Sequence, residues 1–208
     1  SVARAIGIAA HSALEAHYRP DGTGGDGEAL VRRFEAGLRR EGVAETAEGR
    51  QALARARERL PDYHDRHVRS RTRPVAVERD FTLAVGPHRI HGRIDRVDAH
   101  PAGGHQLIDY NTGKPPNAAG RASGDDLVLL LYLLCACEAR GIEPRGATVV
   151  HILDGDTRGV HPDATDDANV IESVREAAEG IAAGRFAPRV SWDCRTCDFA
   201  GICPAQDR

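Results

Sequence analysis

The stretches HGRIDRVD (residues 91–98) and QLIDYNTGK (residues 106–114) decide how this sequence is interpreted. Asp95 and Asp109 each follow an apolar run of the kind that forms β-strands. Two neighbouring strands of this kind bring two carboxylates to one point. Carboxylate oxygens are hard ligands that suit Mg²⁺ or Mn²⁺. The alternative for two aspartates alone is that they cap strands and solvate turns.

The bulk properties limit the class of protein. The 208 residues fit one domain, or one domain with a small appendage. A net charge of −3 gives no global nucleic-acid signal, so a nucleic-acid partner has to meet a local patch. No apolar stretch approaches the ~20 residues that span a bilayer. Since a secretory pattern is also missing, we predict a cytoplasmic protein without a membrane partner.

Methionine is absent, and Ser1 leads directly into helical sequence. We therefore expect the chain to be a fragment of a longer polypeptide. The alternative is a processed or tagged N-terminus.

Hydrophobic periodicity predicts an α/β fold. We predict helices over residues 3–18, 28–41, 45–70, 127–138 and 166–184. We predict strands over residues 75–85, 90–97, 107–109, 147–153 and 157–161, with a loop over 115–124. Helices followed by strands, and then by both together, indicate a mixed central β-sheet flanked by helices, with a cysteine-rich C-terminal tail.

Five motifs then follow one another between residues 7 and 204. They are Gly7-Ile-Ala-Ala-His11, Gly92-Arg-Ile-Asp95-Arg, Ile108-Asp109-Tyr-Asn111-Thr-Gly-Lys114, Asp126-Leu-Val128-Leu-Leu-Leu-Tyr132 and Cys194-x2-Cys197-x5-Cys203-Pro. In this order they resemble the RecB-type branch of the PD-(D/E)XK nuclease superfamily, including the AddB and AdnAB kinds. Any one of the motifs alone is weak, whereas five in order are specific.

The resemblance implies a restriction-endonuclease-like core within a single nuclease domain, residues 1–208. It divides the domain into a helical N-terminal part (1–74), the nuclease core (75–188) and the cysteine-rich tail (189–208). It implies a Mg²⁺- or Mn²⁺-dependent, exonuclease-like deoxyribonuclease that acts on single-stranded DNA ends. Its context would be a recombination or repair helicase–nuclease, with helicase domains or a partner subunit.

The same resemblance assigns roles to single residues. His11, Asp95 and Asp109 would hold the metal ion. Glu78, on the preceding strand, either supports these ligands or is an ordinary strand charge. Glu15, one turn after His11 on the same helical face, is expected to support them. Tyr132 is retained from the family's QLxxY helix, one turn after Val128.

Two positions depart from the family pattern. Asn111 occupies the place of the lysine that positions the attacking water, and it carries no positive charge. Lys114 lies three residues further on, at a different offset, and is a candidate catalytic residue that reaches the site from there. Val128 replaces the glutamine of QLxxY. The alternative function is therefore a catalytically inactive nuclease-like domain that binds DNA or a partner subunit, and the sequence does not tell whether Asn111 is natural or engineered.

The tail cysteines Cys194, Cys197 and Cys203 have the close spacing of thiolate metal ligands. The resemblance implies a 4Fe-4S cluster whose fourth cysteine lies upstream of Gly7 and is not in this chain. The cluster is completed from outside, replaced by Zn²⁺, or absent. Cys135 and Cys137 fall in an apolar helix and are predicted to be core residues. A third class of function is a cysteine-anchored interaction module.

Basic residues mark two candidate DNA contacts. Arg93 and Arg96 flank Asp95, and we predict that both contact phosphates. A basic run over residues 64–73 ends a predicted helix. It either contacts phosphates as well or is a solvated helix end that complements the helix dipole.

Overall fold

The computed structural model describes residues 1–22, 24–113, 124–138, 141–160, 167–188, 190, 194, 197 and 199–205. The helices are α1 Val2–His17, α2 Gly27–Arg40, α3 Ala47–Ser70, α4 Gly124–Glu138 and α5 Asp167–Ala182. The strands are β1 Arg73–Val85, β2 His88–Ala99, β3 His105–Asn111, β4 Pro144–His151 and β5 Asp156–Val160. A short 3-10 turn follows at Ala200–Ile202.

The five strands form one sheet in the order β1-β2-β3-β4-β5. Strands β3 and β4 pair in parallel, and the other neighbours pair antiparallel. Helix α4 lies in the connection between the two parallel strands, as a parallel pair requires. The arrangement confirms the predicted mixed sheet with flanking helices. Arg96 pairs with Ile108, so Asp95 and Asp109 occupy the next position on each strand.

Helices α1, α2 and α3 cover one face of the sheet. Gly37 of α2 allows close contact with α1, because a Cβ atom at this position would lie 3.0 Å from the Cβ atom of Ala9. The close contact helps to fix α1, which carries His11, against the sheet. The shared core includes buried side chains from all three helices and the sheet: Leu14, Phe34, Leu60, Ile108, Tyr110 and Val150.

Helix α4 packs on the opposite face. Its Leu129 and Leu133 join a second apolar core that contains Leu107 and Val149 from the sheet. Neighbouring residues of β3 therefore enter different cores, Leu107 under α4 and Ile108 under the N-terminal helices. This is the alternation that a strand buried on both faces requires.

Strands β1 and β2 extend past the rest of the sheet. The pairs between β2 and β3 begin at Arg96–Ile108, and among the described strands the part of β2 before Asp95 pairs with β1 alone. We call residues 79–94 the overhanging hairpin. Its end is anchored by Leu83 and Val85, which pack together with Cys135 of α4.

The glycine of the GRID motif lies in this hairpin. Gly92 pairs with Phe81 on β1, and the Phe81 ring lies over it so closely that a Cβ atom would be 2.2 Å from Cζ. The same ring packs edge-on against Tyr132, with 5.7 Å between ring centroids. Glycine at position 92 therefore leaves room for the aromatic contact between the hairpin and α4.

The structure differs from the predicted element boundaries in small ways. Helix α3 starts after Thr46, whose hydroxyl accepts a hydrogen bond from Gly49 N–H at 3.0 Å, and it continues through Pro61. The strand predicted over 147–153 leaves the ladder after His151, although Ile152 stays buried. Most of the predicted loop over 115–124 lies outside the described residues. Among the helices that the structure describes, none is both long and apolar enough to cross a bilayer.

Candidate metal centre

Asp95 is the central residue of the candidate site. It lies on β2, and its exposed fraction is 7%. Oδ2 accepts a hydrogen bond from the backbone N–H of Tyr110 on β3, at 2.7 Å. Oδ1 lies 3.3 Å from Nδ1 of His11 on α1. The carboxylate is therefore held from two sides, by a neighbouring strand and by a helix.

His11, Glu78 and Asp95 bring potential ligand atoms within 4.8 Å of one another. One imidazole nitrogen and two carboxylates form a hard donor set that fits Mn²⁺ or Mg²⁺. The hydrogen bond with Asp95 raises the pKa of His11, and the charges of Glu78 and Asp109 act in the same direction. The negative charges that favour the protonated form of His11 would also attract a divalent cation to this site.

Glu78 enters this group through an unusual backbone conformation. Its φ is 49°, in the left-handed region that residues other than glycine rarely adopt. It lies between Val77, which pairs with Arg96, and Arg79, which pairs with Ile94. Burial and the nearby Asp95 carboxylate raise the pKa of Glu78. The sequence predicted a supporting role for Glu78, whereas the structure places it among the candidate ligands.

Asp109 lies beside this group but is not one of its three members. Its Oδ1 accepts a hydrogen bond from the Tyr132 hydroxyl at 2.9 Å. Burial raises the pKa of Tyr132, and the Asp109 charge raises it further, so the phenol stays protonated as a donor. The family tyrosine thus fixes the second carboxylate of the pair.

Asn111 uses its side chain to form a turn. Its Oδ1 accepts a hydrogen bond from the backbone N–H of Gly113 at 2.7 Å, as in an Asx turn. The amide therefore supports the chain where it leaves β3, and it carries no charge. Lys114 and the side chain of Val128 lie outside the described residues.

The two arginines that flank Asp95 have different surroundings. The side chain of Arg93 is 55% exposed and contacts Glu78 and Asp80. Arg96 does not fit the predicted role of a phosphate contact, because its side chain is only 2% exposed. Its Nε lies 2.9 Å from Oδ1 of Asp98, and its guanidinium carbon lies 4.0 Å from the centroid of the Tyr18 ring. In this position Arg96 is out of reach of a phosphate at the surface.

The remaining predicted residues lie outside the group of three. Glu15 is on α1 and forms an ion pair with Arg19 at 3.2 Å, although its charge also contributes to the raised pKa of Glu78. In the basic run 64–73, Arg66 pairs with Asp62 of the preceding turn at 3.0 Å.

The tail cysteines do not form a comparable group. Cys194 and Cys197 are exposed and Cys203 is partly exposed. Within the described part of the chain, their sulfur atoms do not come as close together as the three metal-centre ligands. Three thiolates also leave a four-thiolate cluster one ligand short. The described tail therefore does not fit a complete cluster. Cys135 is buried, in agreement with its predicted place in the core, and the side chain of Cys137 lies outside the described residues.

Comparison with known proteins gives one family. The sequence matches the family model of the PD-(D/E)XK nuclease superfamily over residues 1–204. A solved structure titled "Crystal structure of SSO0001" aligns with a TM-score of 0.49 and 18% sequence identity, over 93% of this chain and 84% of that chain. No curated protein sequence matches this chain significantly.

Proposed function

This chain belongs to the PD-(D/E)XK nuclease superfamily, and from this premise we propose that it is a divalent-metal-dependent deoxyribonuclease. The observation that carries the proposal is the convergence of His11, Glu78 and Asp95 beside Asp109. Such a group can hold a divalent cation at the scissile phosphate. A cation is needed there because negative charge accumulates on the phosphate during hydrolysis.

The proposed roles follow from the contacts. His11, Glu78 and Asp95 hold Mg²⁺ or Mn²⁺, with Asp109 beside them. A bound ion of this kind lowers the pKa of a coordinated water and neutralises charge on the phosphate. Tyr110 orients Asp95 through its backbone N–H, and Tyr132 orients Asp109 through its hydroxyl. Lys114 remains a candidate site residue.

The finer parts of the proposal rest on the sequence motifs between residues 7 and 204. We propose single-stranded DNA ends as the substrate, an exonuclease-like mode, and a place in a recombination or repair helicase–nuclease. A cytoplasmic location belongs to the same proposal. The thiols of Cys194, Cys197 and Cys203 are proposed to bind an iron–sulfur cluster or Zn²⁺, provided that a further ligand comes from outside this chain.

A second candidate function is a catalytically inactive domain that binds DNA or a partner subunit. The observation that favours it is the side chain of Asn111, which bonds to Gly113 N–H in the place of the family lysine. Under this alternative the metal group keeps an architectural role, and DNA binding occurs without turnover.

The test is hydrolysis of end-labelled single-stranded and double-stranded DNA with Mn²⁺ or Mg²⁺. The protein should release nucleotides from single strands, and Asp95→Asn should reduce this activity to background. Asp156→Asn is the matched control, because Asp156 is an exposed carboxylate at the start of β5 that is not in the donor group. Metal binding without turnover by the unaltered protein would favour the second candidate. Turnover that survives in Asp95→Asn would contradict the proposed site.

A further inference from the structure

Negative charge is concentrated at the candidate metal centre. The charges of Asp95, Glu78 and Asp109 all act on His11, and burial together with the nearby Asp95 carboxylate raises the pKa of Glu78. A phosphodiester adds a further negative charge, which increases as water attacks. Fixed positive groups of the protein at the point where the phosphate lies would stabilise this charge in addition to a bound metal ion.

Position 111 does not provide such a group. Asn111 is uncharged, and its Oδ1 is occupied by Gly113 N–H at 2.7 Å. His11 lies at the site, but its Nδ1 faces Asp95 at 3.3 Å and its ring is one of the candidate metal ligands. Among the described residues, a further cation at the site comes from another element.

Arg93 is a cationic side chain that directly contacts Glu78, one of the three candidate metal ligands. Its Nη1 lies 3.4 Å from Oε2 of Glu78, and its Nε donates to Oδ1 of Asp80 at 2.7 Å. Asp80 pairs with Arg93 across the hairpin, which fixes the direction of the side chain. Arg93 and Asp95 are two residues apart on β2, a spacing that places them on the same side of a strand.

Exposure distinguishes Arg93 from Arg96. The Arg93 side chain is 55% exposed, so its guanidinium lies at the open side of the group, where a phosphate can approach. The guanidinium is a planar fork with five donors, and it can hold a carboxylate with one edge while another nitrogen contacts a phosphate oxygen. Arg96, at 2% exposure, has no such access.

We infer that Arg93 is a catalytic residue that donates hydrogen bonds to a non-bridging oxygen of the reacting phosphate. The inference rests on the proposed function and names the residue that supplies positive charge in the place of position 111. Asp80 and Glu78 hold the guanidinium in position before the phosphate arrives.

The step balances without a change of protonation at Arg93. A bond forms between the water oxygen and phosphorus, and the bond from phosphorus to the leaving sugar oxygen breaks. The attacking water loses one proton to solvent, and the leaving oxygen gains one from solvent. Arg93 keeps all its protons and stabilises the charge on the non-bridging oxygen through a charge-assisted hydrogen bond.

The test compares Arg93→Gln, Arg93→Lys and Arg79→Gln. Arg79→Gln is the matched control, because it removes the same charge from an exposed position of the partner strand. The single-turnover rate of DNA cleavage should fall about 10²-fold in Arg93→Gln, the typical effect of removing one preorganised donor. The rate of Arg93→Lys should lie between those of Arg93→Gln and the unaltered protein, and the rate of Arg79→Gln should equal that of the unaltered protein.

Two further readouts separate catalysis from structure. Mn²⁺ affinity, measured by calorimetry, should be unchanged or higher in Arg93→Gln, because Arg93 competes with a cation for Glu78. Added guanidinium ions, below denaturing concentration, should raise the rate of Arg93→Ala and leave that of Arg79→Ala unchanged.

Each other outcome is decisive. Equal rates for Arg93→Gln and Arg79→Gln would overturn this inference and leave the proposed function intact. A parallel loss of Mn²⁺ affinity and rate, without rescue by guanidinium, would make Arg93 a support for the ligands and also overturn it. Absence of cleavage by the unaltered protein would overturn the proposed function and this inference together.

Discussion

The Tyr132 hydroxyl donates a hydrogen bond to Oδ1 of Asp109 at 2.9 Å, and this contact joins helix α4 to the end of strand β3. Asp109 is thereby held beside the three candidate metal ligands. The other carboxylate of the pair, Asp95, contacts His11 directly. The two aspartates that define the sequence pattern therefore have different tasks.

We predict that Tyr132→Phe weakens Mn²⁺ binding less than Asp95→Asn does, because Asp109 is not one of the three converging ligands. The variant should lose about 1.5–3 kcal/mol of stability, the typical value of a hydrogen bond to a charged group. Calorimetric titration with Mn²⁺ and urea unfolding measure the two effects. Equal loss of Mn²⁺ affinity in both variants would place Asp109 among the direct ligands.

The strained backbone at Glu78 predicts a trade between stability and metal binding. Glu78→Asn should weaken Mn²⁺ binding and leave the free energy of unfolding unchanged or higher, because asparagine tolerates a positive φ and the strain costs about 1–3 kcal/mol. Glu78→Gln is the control, since it also removes the charge but retains the strain. A Glu78→Asn variant that is no more stable than Glu78→Gln would argue against strain at this position.

The buried Arg96–Asp98 pair is predicted to be a structural element. Arg96→Met should reduce the free energy of unfolding by about 3–5 kcal/mol, because it leaves the Asp98 carboxylate buried without a cation. The double variant Arg96→Met/Asp98→Leu should lose less, since both charges are removed. Urea unfolding gives the comparison, and a larger loss in the double variant would contradict the role of the pair.

One buried histidine, His17, and one partly buried histidine, His67, predict acid sensitivity. Burial lowers the pKa of His17 and of His67 from 6.5 to about 4. Between these values the unfolded chain binds protons that the fold excludes, so stability falls as the pH drops from about 6.5 to about 4 and changes no further through these groups below that. Each ring accounts for at most about 3 kcal/mol.

The measurement is the free energy of urea unfolding at about pH 7 and about pH 5, for the unaltered protein and for His67→Gln. The variant lacks one of the two titrating rings and should lose less stability on acidification. Identical losses would show that His67 is not neutral in the fold.

Asn111→Lys alone is predicted to restore little activity. Lysine cannot accept the hydrogen bond from Gly113 N–H that Asn111 accepts, and Val128 still lacks the polar group of the family glutamine. The gain in Mn²⁺-dependent cleavage should fall far short of the ~10²–10⁴-fold that a well-positioned catalytic group contributes. The double variant Asn111→Lys/Val128→Gln is the comparison, and full rescue by the single change would refute the prediction.

The sequence predicted the sheet and the region of the site because both depend on local patterns. Period-two stretches located β2 and β3, and a carboxylate at the end of each stretch pointed to Asp95 and Asp109. The left-handed conformation of Glu78 has no such signal, because an acidic residue in a strand looks like an ordinary surface charge. Its place among the ligands depends on the register of β1 against β2.

Arg96 was misjudged for a related reason. Proximity to Asp95 in sequence suggested a place at the site, but the partners that bury it come from distant elements: Tyr18 follows α1, Tyr63 is on α3 and Tyr110 is on β3. One local signal was present, since Arg96 and Asp98 have opposite charges and a spacing that places them on the same side of a strand. Two opposite charges at this spacing can form a buried pair.

Asp95 and Arg96 are consecutive in the chain, yet one belongs to the reactive surface and the other to the interior. A deletion of a single residue between Gly92 and Asp95 would move Arg96 to the position of Asp95, beside His11 and Glu78, and would move Asp95 to the position of Ile94, in the apolar core under α4. Insertions and deletions in this short segment should therefore be far less tolerated than substitutions. The register of β2 places both the site residue Asp95 and the buried Arg96, so a shift that alters one also alters the other.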